Sequence, residues 1–208
     1  MARVDDDGPV LLLLEHAPVI TTTRRGGSAF VTTPHDEIER AGIAVVETDR
    51  GGDVTFHGPG QLVGYPILRL GPTSLGCNLV GYVRALEEAM IAACTELGVV
   101  DAHRVEKMTG VWCDAPVVES ISCGLHDMHR EVCKLTAIGV GVSGGVTRHG
   151  FALNITTELE RYTQHIIPCG LTGRGVTSLE RVLPRTPSFD DVCGVVEKHV
   201  VNTLAPWH

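Results

Sequence analysis

The sequence predicts an α/β protein, α+β in its irregular order, with a mixed sheet packed against helices. Three observations lead there. Short aliphatic runs of strand length recur along the chain, two segments carry apolar residues at helical spacing, and the two kinds alternate without any internal repeat or low-complexity tract. At 208 residues, one catalytic-sized domain spanning residues 1–208 is expected, long enough to bury a single core.

The elements follow in order. Residues 10–15 (Val-Leu-Leu-Leu-Leu-Glu) and 43–47 (Ile-Ala-Val-Val-Glu) are aliphatic runs of buried-strand type. Residues 21–34 between them are polar and contain glycine, so they read as a loop. A glycine-rich stretch over 50–65 comes next, and residues 61–70 resume a strand pattern that Gly71 and Pro72 end. Leu79, Val83, Leu86, Met90, Ala93 and Leu97 step by three and four, which predicts one helical face stopped by Gly98. Residues 111–113 and 134–142 are expected strands, with a long connection over 114–133 between them. Residues 151–154 make another short strand. Ser188, with Asp191 three positions on, resembles a capping box opening a last helix that carries Val192, Val195, Val196 and Val200.

Composition narrows the function. Hydrophobic residues make up 43% and charged residues 20%, ordinary for a globular protein. The net charge of −8 excludes general nucleic-acid affinity, which needs clustered Lys and Arg. Seven cysteines, an odd number without a C-x-x-C pair, read as reduced thiols rather than a disulfide framework. No apolar run approaches the ~20 residues of a membrane span, and the acidic start resembles neither a secretory nor a transit peptide. A cytoplasmic protein, without membrane attachment, is expected.

Four constellations carry possible chemistry. In the sixteen residues from Arg50 to Tyr65 there are five glycines and one proline, with Arg50, Thr55, His57, Gln61 and Tyr65 interspersed. Glycine permits close backbone approach and positive φ. Exposed N–H groups beside an imidazole suit a carbonyl or oxyanion, although a plain turn would share the composition. The stretch is neither G-x-G-x-x-G nor a Gly-Lys-Ser/Thr phosphate loop. Cys169 follows a strand-like Ile166-Ile167 and precedes Gly170, Gly173 and Gly175, a setting open to a nucleophile. Lys134 opens an apolar strand; it either snorkels to solvent or, if desolvated, serves as a base or thiol activator. Cys123, His126, His129 and Cys133 offer four soft ligands, but not at the usual zinc spacing, so a solvated insertion is the favoured reading and no metal is assigned.

Taken together these segments resemble the octanoyltransferases of lipoate biosynthesis, the lipoyl(octanoyl) transferase or lipoate–protein ligase B family. The resemblance runs from about residue 11 to residue 183. It rests on the stretch Arg50, Gly51, Gly52, Asp53, Val54, Thr55, Phe56, His57 and onward to Tyr65, and on Glu15-His16-Ala17-Pro18-Val19 upstream. Lys134 to Gly139, His149 to Asn154, Ile167-Pro168-Cys169-Gly170 and Thr177-Ser178-Leu179 follow in the family's order.

The resemblance implies the fold shared with biotin and lipoate protein ligases and an acyltransferase needing no cofactor. It implies transfer of an octanoyl group from octanoyl-acyl carrier protein to a lysine of lipoyl domains, those of 2-oxoacid dehydrogenases and the glycine cleavage H protein, by a monomer. Carried over by position, Cys169 is the acyl-accepting nucleophile and Lys134 its activator. The residues from Arg50 to His57, with Ala137, Ile138, Gly139, Gly150, Phe151 and Ala152, line the substrate site. The chain departs from the family in a shortened start, in a longer segment over 115–133, and in Thr21-Thr22-Thr23-Arg24. An ATP-dependent lipoate or biotin ligase and a non-catalytic metal-binding module around Cys123 to Cys133 are the rival readings.

Overall fold

Two sheets of unequal size share the molecule in the computed structural model, which describes residues 8–24, 27–70, 78–116, 130–167 and 175–207. The larger sheet contains β1 (Val10–Leu14), β5 (Gln61–Ile67), β6 (His103–Val105), β7 (Met108–Pro116), β8 (Arg130–Ser143) and β9 (Val146–Asn154). Its order is β1-β5-β9-β8-β7-β6, and every neighbouring pair is antiparallel. The smaller sheet is mixed: β2 (Val19–Thr23) lies between β3 (Ala44–Thr48), parallel to it, and β4 (Thr55–His57), antiparallel to it.

Helix α2 (Leu79–Glu96) and helix α5 (Phe189–Leu204) pack on each other and on one face of the larger sheet. Tyr82, Leu86, Met90 and Ala93 of α2 meet Val192, Val196 and Val200 of α5 and Leu62, Val111, Leu135 and Leu153 of the sheet in the main core. Ser188 caps α5 as expected, its hydroxyl accepting the Asp191 N–H. Asn78 does the same for α2 through Gly81 N–H. A second core sits on the smaller sheet, where Ile20, Val54 and Phe56 pack with Ile38 of α1 (His35–Arg40) and Leu159 of α3 (Leu159–Thr163).

Several sequence expectations need correction. Residues 21–34 are not a loop throughout: Thr21 to Thr23 complete β2, and a 3-10 turn (Gly27–Phe30) and α1 follow. Polarity misled here, because threonine is β-branched and suits a strand whatever its hydroxyl does. The glycine stretch likewise holds a strand, β4. The connection expected over 114–133 is shorter, since β7 reaches Pro116 and β8 begins at Arg130, paired with each other at their ends. Leu79, placed on the buried helical face, is 39% exposed at the first turn of α2, and Tyr82 takes the core position instead. Short elements β6, α3 and α4 (Leu179–Val182) lack any periodic signal in sequence.

Candidate active site

A cavity of about 420 Å³ opens between the two sheets, within the range of small-molecule sites, roughly 300–1,000 Å³. Its floor is the face of the larger sheet that turns away from α2 and α5, where Val63, Ala137 and Ala152 line up across β5, β8 and β9. Its roof is the smaller sheet, through Val19, Thr21, Val46 and Thr48. These walls are mostly aliphatic, and the polar groups gather at one side: His16, Arg50, His57, Tyr65 and His149.

Close backbone packing holds the glycine stretch onto the sheet. Gly51 N–H donates to Val140 O at 2.9 Å, and a Cβ on Gly139 would stand 2.8 Å from Gly51 O. Glycine at 139 thus serves the docking of one backbone on another. Gly60 adopts φ +79, and its N–H is taken by the Glu15 carboxylate. Arg50 clamps the stretch to β2: its guanidinium donates to Thr21 O at 2.7 Å, Thr21 Oγ1 at 2.9 Å and Asp53 O at 3.3 Å.

The imidazoles are held at defined angles. His16 Nε2 and the Tyr65 hydroxyl are 2.7 Å apart. His149, which has φ +60, contacts Asp49 Oδ1 at 2.8 Å, and Arg148 meets the other oxygen of that carboxylate at 2.6 Å. The His149 hydrogen bond, aided by Arg148, keeps the Asp49 carboxyl below the usual carboxylate range. His57 Nδ1 lies 2.7 Å from Gln61 Oε1. Burial is the largest influence on His57 and pushes it down to about 4 despite that hydrogen bond; burial also lowers His16 and raises Tyr65.

Lys134 does not snorkel: it is 6% exposed, with Nζ 4.8 Å from the Trp112 ring centroid. A bulge decides which face it takes. Val111 pairs with Thr136 and Trp112 with Lys134, so one step on β7 spans two on β8 and Leu135 is the extra residue. Val111 and Cys113 belong to the helix-side core, which turns Trp112, and Lys134 opposite it, to the other face. Ala152 also lies on that other face, because Leu153 is in the helix-side core, and Ala137 is opposite Ala152. The inserted Leu135 therefore brings Lys134 to the cavity side of the sheet, where strict alternation from Ala137 would have put it among the helices. On its backbone, Lys134 donates to Gly175 O at 3.0 Å and accepts from Thr177 N at 2.9 Å.

The expected site residues divide by location. Arg50, Gly51, Gly52, Thr55 and His57 line the cavity, as do Ala137, Ile138, Gly139, Gly150, Phe151 and Ala152. Val54 and Phe56 point into the smaller core, and Asp53 contributes its carbonyl to Arg50. Cys169, Cys123, His126 and His129 lie outside the described residues. Cys133 is buried in β8, opposite Cys113, and among the described residues no group of three or more His, Cys, Asp or Glu is placed to hold a metal. Sequence reasoning did not assign Val46, Thr21 or Val63 to the cavity; the strand alternation of 19–23 would have found Thr21 had it been read as β. It placed Tyr65 in the candidate glycine stretch without assigning it to the substrate site, and named His16 and His149 without giving them a site.

This two-sheet architecture is the fold shared by lipoate protein ligases and a biotin protein ligase. An archaeal bipartite lipoate protein ligase from Thermoplasma acidophilum superposes with a TM-score of 0.73 over 96% of this chain and 72% of that one, at 18% identity. A lipoate-protein ligase A bound with ATP gives 0.68 over 96% and 74%, at 16% identity, and likewise shows the fold alone. The model of the lipoyl protein ligase A/B catalytic domain matches residues 1–201, and the chain belongs to that family. Among curated relatives, the octanoyltransferase of Mycobacterium leprae is 43% identical over 208 residues, covering 99% of this chain and 79% of its own length. That of Koribacter versatilis is 41% identical over 189 residues, 91% of this chain and 69% of its own. No helix among the described residues is long and apolar enough to cross a membrane.

Proposed function

We propose that the protein transfers an octanoyl group from octanoyl-acyl carrier protein to a lysine of lipoyl domains, through a thioester on Cys169. The observation that carries this reading is the aliphatic cavity between the sheets, with Lys134 buried on the same sheet face, in a chain 43% identical to an octanoyltransferase over its length. Burying an alkyl chain contributes about 0.8 kcal/mol per CH₂, so an apolar cavity favours an eight-carbon chain over much shorter ones.

The chemistry divides into two thermoneutral-to-downhill steps. A thiol of ordinary pKa, ~8.5, is slightly ionised near neutrality, and an ammonium beside it favours the thiolate. The thiolate attacks the donor thioester, forms a new C–S bond and expels the carrier's thiol. An amine of the acceptor then attacks the acyl-enzyme, gives up a proton and forms the amide as the C–S bond breaks and the enzyme thiolate leaves. Because the acyl group is already activated as a thioester, ATP is not required. Lys134 is the thiolate partner in this scheme. Gly175, the first described residue after the segment that carries Cys169, accepts the Lys134 backbone N–H, which supports the pairing. Lys134→Ala is expected to slow acylation and to move its pH optimum upward.

The test mixes the protein with octanoyl-acyl carrier protein and a lipoyl domain, without nucleotide, and follows the mass of the lipoyl domain. Octanoylation of one lysine is expected. Modification that appears only when ATP and a free fatty acid are supplied would overturn the proposal in favour of a ligase.

A further inference from the structure

A hydrogen-bonded chain runs from the cavity into the sheet, and its direction is set at the inner end. Asn154 donates its amide Nδ2–H to the backbone oxygen of Thr177 at 3.0 Å, a group that only accepts. Asn154 Oδ1 is therefore the acceptor for Gln61 Nε2 at 2.9 Å. Gln61 Oε1 is then left for His57 Nδ1 at 2.7 Å. An amide oxygen only accepts, so Nδ1 carries the proton. In a neutral imidazole, Nε2 is then a lone pair.

Water does not compete for these bonds, because Gln61 is 2% and Asn154 6% exposed. His57 lines the cavity and Gln61 does not, which puts Nε2, across the ring from Nδ1, toward the cavity. Among the described residues, Nε2 has no hydrogen-bond partner. Burial keeps the ring uncharged near neutrality. The chain is also tied to Lys134, since Thr177 N–H donates to the Lys134 carbonyl at 2.9 Å.

We propose that Gln61 and Asn154 are positioning residues that lock His57 in the Nδ1–H form, making Nε2 the proton acceptor for the amine that enters the cavity. This deepens the acyl-transfer reading above and rests on it. As the amine nitrogen bonds to the acyl carbon it becomes positively charged and gives one proton to Nε2. The C–S bond breaks with its electron pair on sulfur, which restores the thiolate, and Nε2 releases its proton to solvent. Nothing is oxidised or reduced. An Nε2–H tautomer would instead present a donor to a donor and block the step.

Two measurements test this. The ring-nitrogen ¹⁵N spectrum of histidine-labelled wild-type protein at neutral pH reads the tautomer without any substrate. A protonated Nδ1 and an unprotonated Nε2 on His57 are expected; the reverse assignment overturns the proposal. In Gln61→Met the tautomer is expected to shift toward Nε2–H. Transfer from preformed acyl-enzyme to a lipoyl domain should then slow on the order of tenfold or more, and by a clearly larger factor than acylation by octanoyl-acyl carrier protein. Equal slowing of both half-reactions, or of neither, overturns the positioning role. A wild-type protein that never acylates overturns the acyl-transfer reading, and is told apart because the tautomer is read on the free protein.

Discussion

Two buried polar clusters, one at Glu87 and one at His57, solve the same desolvation problem in opposite ways. Glu87 is fully buried in α2, yet its carboxylate meets Arg84 at 2.6 Å, Arg104 at 3.1 Å and the Gly110 N–H at 3.0 Å. Every partner there is a donor, so a charge is held in place and the β6–β7 hairpin is tied to the helix. His57 has the directed amide chain of Gln61 and Asn154 in place of ion partners, and burial keeps it neutral. The first cluster is closed on itself and lies away from the cavity; the second ends on a lone pair facing it. A saturated network stabilises the fold, while one left open at the cavity side is a candidate for chemistry.

The largest effect that would sharpen this contrast is on stability. Glu87→Ala leaves the buried Gly110 N–H without its acceptor and Arg84 without its carboxylate, while Arg104 keeps Glu88, and is expected to cost about 3 kcal/mol in denaturant unfolding, with the acylation rate per folded molecule preserved. Next comes the pH response of His57. Its pKa in the folded protein lies below its usual 6.5, so its contribution to stability is full above that value and is lost as pH falls toward about 4. The loss should reach about 3 kcal/mol at the acid end, and His57→Gln should flatten that part of the unfolding curve.

Gly139→Ala is expected to cost about 1–3 kcal/mol. Its Cβ would meet Gly51 O at 2.8 Å, so the glycine stretch must lift from β8. Weaker saturation by the acyl donor should accompany the destabilisation. Smallest of all, Cys193→Ser on α5, only partly buried and remote from the cavity, should change stability by less than about 0.5 kcal/mol and leave acylation as it was.

These contrasts were unevenly legible in the sequence. The α2 and α5 faces follow from spacing alone, because a helix that covers a sheet must present a stripe every three or four residues. The glycine stretch was visible as a site, but its physical reading was incomplete: Gly51 and Gly139 face each other to let backbone pack on backbone. Thr21 to Thr23 were lost to a loop because hydropathy outweighed β-branching. The side on which Lys134 emerges could not be read from alternation, since the bulge at Leu135 is a property of the pairing with β7 rather than of either strand. The direction of the His57–Gln61–Asn154 chain depends on the Thr177 carbonyl, contacts separated by up to 93 positions in sequence that no local pattern encodes.

Everything functional in this account depends on an acyl group resting on the enzyme between donor and acceptor. Incubation with octanoyl-acyl carrier protein in the absence of ATP and of a lipoyl domain, followed by intact-mass analysis and peptide mapping, measures that directly. One octanoyl group is expected, located on Cys169 and missing from Cys169→Ser. An unmodified wild-type protein, or an equal adduct on Cys169→Ser, would contradict that expectation.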